Sequence, residues 1–161
     1  MRAYRLTRDV TGAVYRQLLE AALEEASTFS LVWRDQLTFA PSAAAVRQTL
    51  RGLQLREAKR DRWPGTILAG HYASVVTYRA AAEALPTLLE PGSLFAWRAP
   101  AYPEDLSFST ERGAVCLATI AHEANAWILS SSLASAVANR VTLVPEDMDP
   151  RDEQYFERDP T

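Results

Sequence analysis

The spacing of apolar residues along the first third of the chain predicts a helix between two strands. Tyr4 to Leu6 reads as a short strand. From Val10 the apolar positions Val14, Leu18, Leu19, Ala22, Leu23 and Ala26 recur at helical spacing, with Glu20, Glu24 and Glu25 on the wet face. Asp9 or Thr11 is the expected cap, because a side-chain oxygen there can accept a free backbone N–H. Phe29 to Trp33 is β-branched and aromatic and predicts a strand. Pro41 and Ser42 open a second helix with Val46, Leu50 and Leu53 inward and Gly52 at its end.

The pattern then turns to shorter elements. Gln54 to Arg60 predicts an exposed strand, Trp63-Pro64-Gly65-Thr66 a turn, and His71 to Tyr78 an alternating strand. Arg79 to Leu89 has helical composition that Pro86 is expected to break. Leu94 to Trp97 reads as a short strand. Pro103 to Phe108 and Ala114 to Glu123 predict a hairpin whose loop, Thr110-Glu111-Arg112-Gly113, suits a type I turn with a left-handed glycine. Ala126 to Leu129 predicts a strand, Ser131 to Asn139 a helix, and Val141 to Val144 a last strand. The irregular alternation, with several locally joined strands, predicts an α+β single domain: a largely antiparallel sheet with helices packed mainly on one face. Residues 1–144 form this domain in the sequence reading, and 145–161 form an acidic tail with Tyr155 and Phe156 as anchors.

Length and composition fit this reading. A chain of 161 residues buries roughly 70% of the surface its unfolded form exposes, enough for a core without staples. No apolar run approaches the roughly 20 residues of a membrane span, and no signal-peptide pattern opens the chain. The single cysteine, Cys116, lies in an apolar strand and reads as a buried thiol. These features together imply a cytoplasmic setting. Sixteen of the seventeen basic residues are Arg, a mark of GC-rich coding.

Charge adds an asymmetry to a net value of −3. Residues 1–62 hold eleven basic and seven acidic side chains, whereas residues 63–161 hold six and thirteen. A domain-wide basic footprint for nucleic acid is absent. Arg56 to Trp63 places basic residues beside an aromatic, but Glu57 and Asp61 interrupt them as in a solvated strand and turn. The mixed-sign surface is compatible with a protein partner.

The densest candidate chemistry sits at the open end of the predicted hairpin. There Glu104 and Asp105 enter one strand as His122 and Glu123 leave the other. An Asp105–His122 acid–base pair needs a nucleophile, for which Ser107 and Cys116 are the candidates, and no Gly-x-Ser-x-Gly elbow accompanies them. The competing reading is structural: Glu104 and Asp105 cap a turn after Pro103, and His122 bonds to one of them. His122-Glu123 lacks the second His of a zincin motif, and two His with one Cys offer no zinc spacing, so no metal is expected. No Gly-rich phosphate loop exists, so no cofactor is expected either.

The four Trp residues and their Arg neighbours suggest a contact surface, since Trp and Arg dominate binding hot spots. Trp63 and Trp97 are expected to be the exposed pair, with Arg34 and Arg98 following Trp33 and Trp97. The candidate binding residues are therefore Arg34, Trp63, Trp97, Arg98, Glu104, Asp105, His122 and Glu123. The first expectation is a non-enzymatic protein-binding module, such as an inhibitor, immunity factor or accessory protein of a bacterial conflict or stress system. The second is a small hydrolase or transferase using Asp105, His122 and Glu123.

The segments Trp63-Pro64-Gly65-Thr66, Tyr102-Pro103-Glu104-Asp105-Leu106-Ser107-Phe108 and Ala121-His122-Glu123 together resemble a group of small bacterial proteins of unknown function, some labelled as sporulation-stage proteins. The resemblance spans about residues 4–130. It implies a bacterial cytoplasmic protein and draws attention to the hairpin, and it supplies no catalytic residues.

Overall fold

A computed structural model describes residues 1–157. Its main feature is an eight-stranded sheet in the order β10-β1-β9-β8-β7-β2-β6-β3, with antiparallel pairing throughout. The strands are β1 (Arg2–Leu6), β2 (Thr28–Arg34), β3 (Gln54–Arg60), β6 (Ala73–Arg79), β7 (Glu104–Ser109), β8 (Val115–Ile120), β9 (Asn125–Ile128) and β10 (Leu143–Asp147). A separate small hairpin joins β4 (Arg62–Trp63) to β5 (Thr66–Ile67). The helices are α1 (Gly12–Glu25), α2 (Pro41–Thr49), α3 (Leu85–Leu89), α4 (Ser131–Val137) and α5 (Pro150–Glu153).

Alternation along the strands divides the sheet into two unlike faces. Phe29 and Leu31 of β2, Val76 and Tyr78 of β6, and Leu106 and Phe108 of β7 join one large core with the apolar sides of α1 to α4. Phe29 stacks on Tyr78 with centroids 5.1 Å apart. The intervening residues Ser30, Val32 and Arg34, with Val75 and Thr77, belong to the opposite face. There a smaller cluster of Val32, Trp63, Ala73 and Val75 seats the β4–β5 hairpin. The predicted α+β architecture, with an antiparallel sheet and helices mainly on one face, is the one observed.

Three elements differ from the sequence expectation. Leu94 to Ala96 forms a 3-10 turn instead of a strand. Tertiary bonds set its path: Leu94 donates to the Val10 carbonyl, and Phe95 donates to Asp9 Oδ1. Pro86 sits in the first turn of α3 instead of breaking or kinking a helix, because a proline there removes an N–H that has no partner. The last strand runs on to Asp147, so the expected boundary at residue 144 falls inside an element of the sheet.

The acidic segment lies along the basic first strand. Tyr4 pairs with Pro145 and Arg5 with Val144, and Arg5 Nε meets Glu146 Oε1 at 2.7 Å. Phe156 is buried and packs edge-on against Trp127 at 5.5 Å. Residues 158–161 of the predicted tail lie outside the described residues.

Candidate functional site

The Glu104–Ser109/Val115–Ile120 hairpin brings its acidic entry beside the His122-Glu123 turn. The pairing of β7 with β2 slips by one residue between Ser30/Ser107 and Val32/Glu104, which marks a bulge. An extra residue on one strand re-aims the side chains around it. Asp105 sits in that bulge in the left-handed region, with φ +55. Ala124 ends the turn after β8 in the same region, with φ +53. Among the described residues these are the two positive-φ residues other than glycine, and both border the cluster. The bulge turns Glu104 and Asp105 inward together, and both are buried.

Asp105 is fully enclosed and well bonded. Trp63 Nε1 donates to Oδ2 at 2.9 Å, and the Ala121 amide donates to Oδ1 at 3.1 Å. Arg34 Nη2 lies 3.6 Å from Oδ2, and the Arg34 guanidinium also covers the Trp63 ring at 5.2 Å. Burial lifts the Asp105 carboxyl from its ordinary value to about 6, although the Trp63 hydrogen bond opposes the rise. Asp105 therefore ties together three elements: β7, the β4–β5 hairpin and the turn after β8.

Glu104 is less well satisfied. Its Oε1 accepts from the Ala99 amide at 3.2 Å. Its Oε2 is buried and has no hydrogen-bond partner among the described residues. That oxygen faces His122 Nδ1 at 3.8 Å, beyond hydrogen-bond reach. On the far side of the ring, His122 Nε2 lies 3.7 Å from Glu123 Oε1. One ligand atom from each of Glu104, Asp105 and His122 falls within 4.8 Å of the others. The two residues that the sequence placed together as an acid–base pair are thus neighbours, joined by Glu104.

Neither proposed nucleophile is available to this cluster. Ser107 Oγ is buried and shares a hydrogen bond with Ser30 Oγ at 2.7 Å. Cys116 packs into the main core, and burial pushes its thiol up to about 11, so it remains protonated at neutral pH.

The expectation that Trp63 and Trp97 are exposed is overturned. Trp97 is wholly buried and donates from Nε1 to Tyr15 Oη at 2.8 Å, and Tyr15 Oη in turn donates a hydrogen bond to the Leu88 carbonyl. Trp63 is 5% exposed because its indole N–H is committed to Asp105 and its ring to Val32 and Val75. Buried indole nitrogens require a partner, and both partners lie inside the fold. Trp33 and Trp127 are the half-buried pair. Arg34 points inward to Asp105, whereas Arg98, His122 and Glu123 are exposed.

The feature that sequence reasoning missed is a groove of about 650 Å³ on the hairpin side of the sheet. Thr28, Ser30 and Thr77 line it from β2 and β6; Arg56, Arg60 and Arg62 come from β3 and β4. Ser109, Thr110, Glu111, Tyr155 and Glu157 also line it. Its signal was present as polar residues at alternate positions of β2 and β6, but their convergence depends on strand order. Comparison with known proteins gives no match to any family model, curated protein or solved structure. No helix among the described residues is long and apolar enough to cross a membrane.

Proposed function

We propose that this protein is a binding module that holds an acidic segment of a protein partner in the groove beside the β4–β5 hairpin. The observation that carries the reading is the groove's lining: three arginines and a row of hydroxyls in a chain whose net charge is −3. Arg side chains recognise carboxylates through a planar fork, and hydroxyls adapt as donor or acceptor. The volume falls in the range of specific ligand sites, roughly 300–1,000 Å³. Glu111 and Glu157 also line the groove and favour a segment whose carboxylates meet the arginines and not these two side chains.

A protein partner is favoured over nucleic acid. Single-strand binding stacks successive bases on several exposed aromatics, whereas Trp63 is packed against the sheet and Tyr155 is the one exposed aromatic among the described residues that line the groove. Binding is favoured over hydrolysis because Ser107 and Cys116 are both withdrawn from His122. In this reading the protein acts by occlusion in a bacterial cytoplasm, as an inhibitor, immunity factor or accessory subunit.

The test uses fluorescent peptides of mixed Asp, Glu and Tyr sequence, their Asn/Gln counterparts, and a single-stranded DNA oligonucleotide. Expected is binding of the acidic peptide that weakens with salt and with the double change Arg56→Ala/Arg62→Ala. Equal binding of the uncharged peptide, preference for DNA, or indifference to the double change overturns the proposal.

A further inference from the structure

We infer that Glu104, Asp105 and His122 form a binding site for a divalent transition metal of the zinc type. The starting observation is the orphaned Oε2 of Glu104. Its side chain is 4% exposed, and a buried carboxylate oxygen without a donor loses the solvation it had in water. The oxygen is aimed at the space it shares with His122 Nδ1 and an Asp105 oxygen. Two carboxylates meet there, and Arg34 approaches only Asp105. A cation in that space supplies the missing partner of Glu104 and balances the second charge.

The donor set selects the ion. One imidazole nitrogen with two carboxylates suits zinc and its neighbours, whereas magnesium and calcium take oxygen-only shells. Asp105 Oδ2 is shared between Trp63 Nε1 and Arg34, whereas Oδ1 accepts the Ala121 N–H and has a second lone pair to offer a metal. Zinc at its usual bond lengths holds ligand atoms roughly 3.3 Å apart. The Glu104–His122 pair at 3.8 Å is near that spacing, and the set of three, within 4.8 Å, closes to it by side-chain movement centred on the half-exposed imidazole. Glu123 then stands where metal-bound histidines find an outer carboxylate, on the ring nitrogen away from the metal. None of the three ligand residues lines the groove, although Trp63, which does, is bonded to Asp105; the metal site does not rest on the partner proposed for the groove.

The experiment titrates chelator-treated, untagged protein with Zn2+ alone by calorimetry and with Co2+ alone by visible absorption. Expected are one ion per chain, a cobalt band of nitrogen–oxygen ligation, and a higher melting temperature with Zn2+. His122→Ala, at an exposed position that should fold normally, is expected to abolish both signals. Glu123→Gln should weaken Zn2+ binding by roughly tenfold, the usual effect of losing an outer-shell partner. His71→Ala, at the other histidine, should change nothing. Binding that survives in His122→Ala, or protein that takes up neither ion at micromolar concentration, overturns the site. Equal affinity for Mg2+ also overturns it.

Discussion

Asp105 is the residue on which most of the local order converges. Its carboxylate collects an indole N–H, a backbone N–H and a nearby guanidinium, and its backbone occupies a left-handed position. Asp and Asn accept that conformation more readily than other residues with a Cβ, because their side chains bond locally. Two substitutions separate these contributions. Asp105→Asn retains the backbone preference and one acceptor, and leaves one N–H facing another donor. Asp105→Ala loses both acceptors, strands the Trp63 and Ala121 N–H groups, and meets the left-handed penalty as well. Urea unfolding is expected to show a loss of about 1–3 kcal/mol for Asn, the cost of one buried unsatisfied group. The loss for Ala should be larger. An Ala variant as stable as the Asn variant would show that Asp105 is not the tie described. The sequence identified this residue as important for its neighbours in the hairpin, but its strongest partner, Trp63, is 42 positions away. No local pattern encodes that contact. The same limit explains why Trp63 and Trp97 were expected at the surface: a Trp beside an Arg looks alike whether its N–H meets water or a buried oxygen.

At the scale of elements, the β4–β5 hairpin acts as a cover for the second face of the sheet. Trp63 fixes one end to Asp105, and Leu68 donates back to the Asp61 carbonyl at 2.6 Å to close it. The turn between its strands depends on Gly65, whose φ is +87 and whose missing Cβ would stand 3.3 Å from Ile120 Cγ1. Gly65→Ala therefore meets a dihedral penalty and a packing conflict together. Gly70 is a built-in control, since its φ is +74 and an added Cβ meets nothing within 4 Å. Both changes should lose about 1–2 kcal/mol from the left-handed backbone. Only Gly65→Ala is expected to lose more and to shift Trp fluorescence to longer wavelength as Trp63 leaves its seat. Identical losses with unchanged spectra would mean that the hairpin tolerates crowding against Ile120. The elements carried by clear periodicity, α1 and the β7–β8 hairpin, were readable from the chain. Those shaped by distant bonds, such as the Leu94–Ala96 turn held by Val10 and Asp9, were not. The groove belongs to the second kind, because it exists only where β6 lies between β2 and β3.

Across the whole molecule, the C-terminal segment links regions that are far apart in the chain. Strand β10 completes the edge beyond β1, where Arg5 meets Glu146, and so brings the acidic end of the chain to its basic beginning. Beyond α5 the Tyr155 carbonyl accepts the Gly65 amide at 2.8 Å, and the Phe156 ring covers Trp127. The predicted tail is thus a clamp that joins β1, β9 and the β4–β5 hairpin, and its Tyr155 and Glu157 form part of the groove wall. Apolar burial, more than surface charge, should hold it, since exposed ion pairs contribute little. Phe156→Ala removes the main apolar anchor, for which the usual cost is roughly 3 kcal/mol. The informative readout is where that loss appears. Hydrogen exchange on the native protein should show faster exchange of the Gly65 amide, because its acceptor departs with the clamp. The Ala26 amide, bonded to the Ala22 carbonyl at the end of α1 on the other face, should retain its protection relative to global unfolding. If both amides accelerate equally, the C-terminal segment unfolds only with the whole domain. If neither changes, Phe156 does not anchor it. Selective loss at Gly65 would establish that the segment opens as a unit and that the groove wall opens with it.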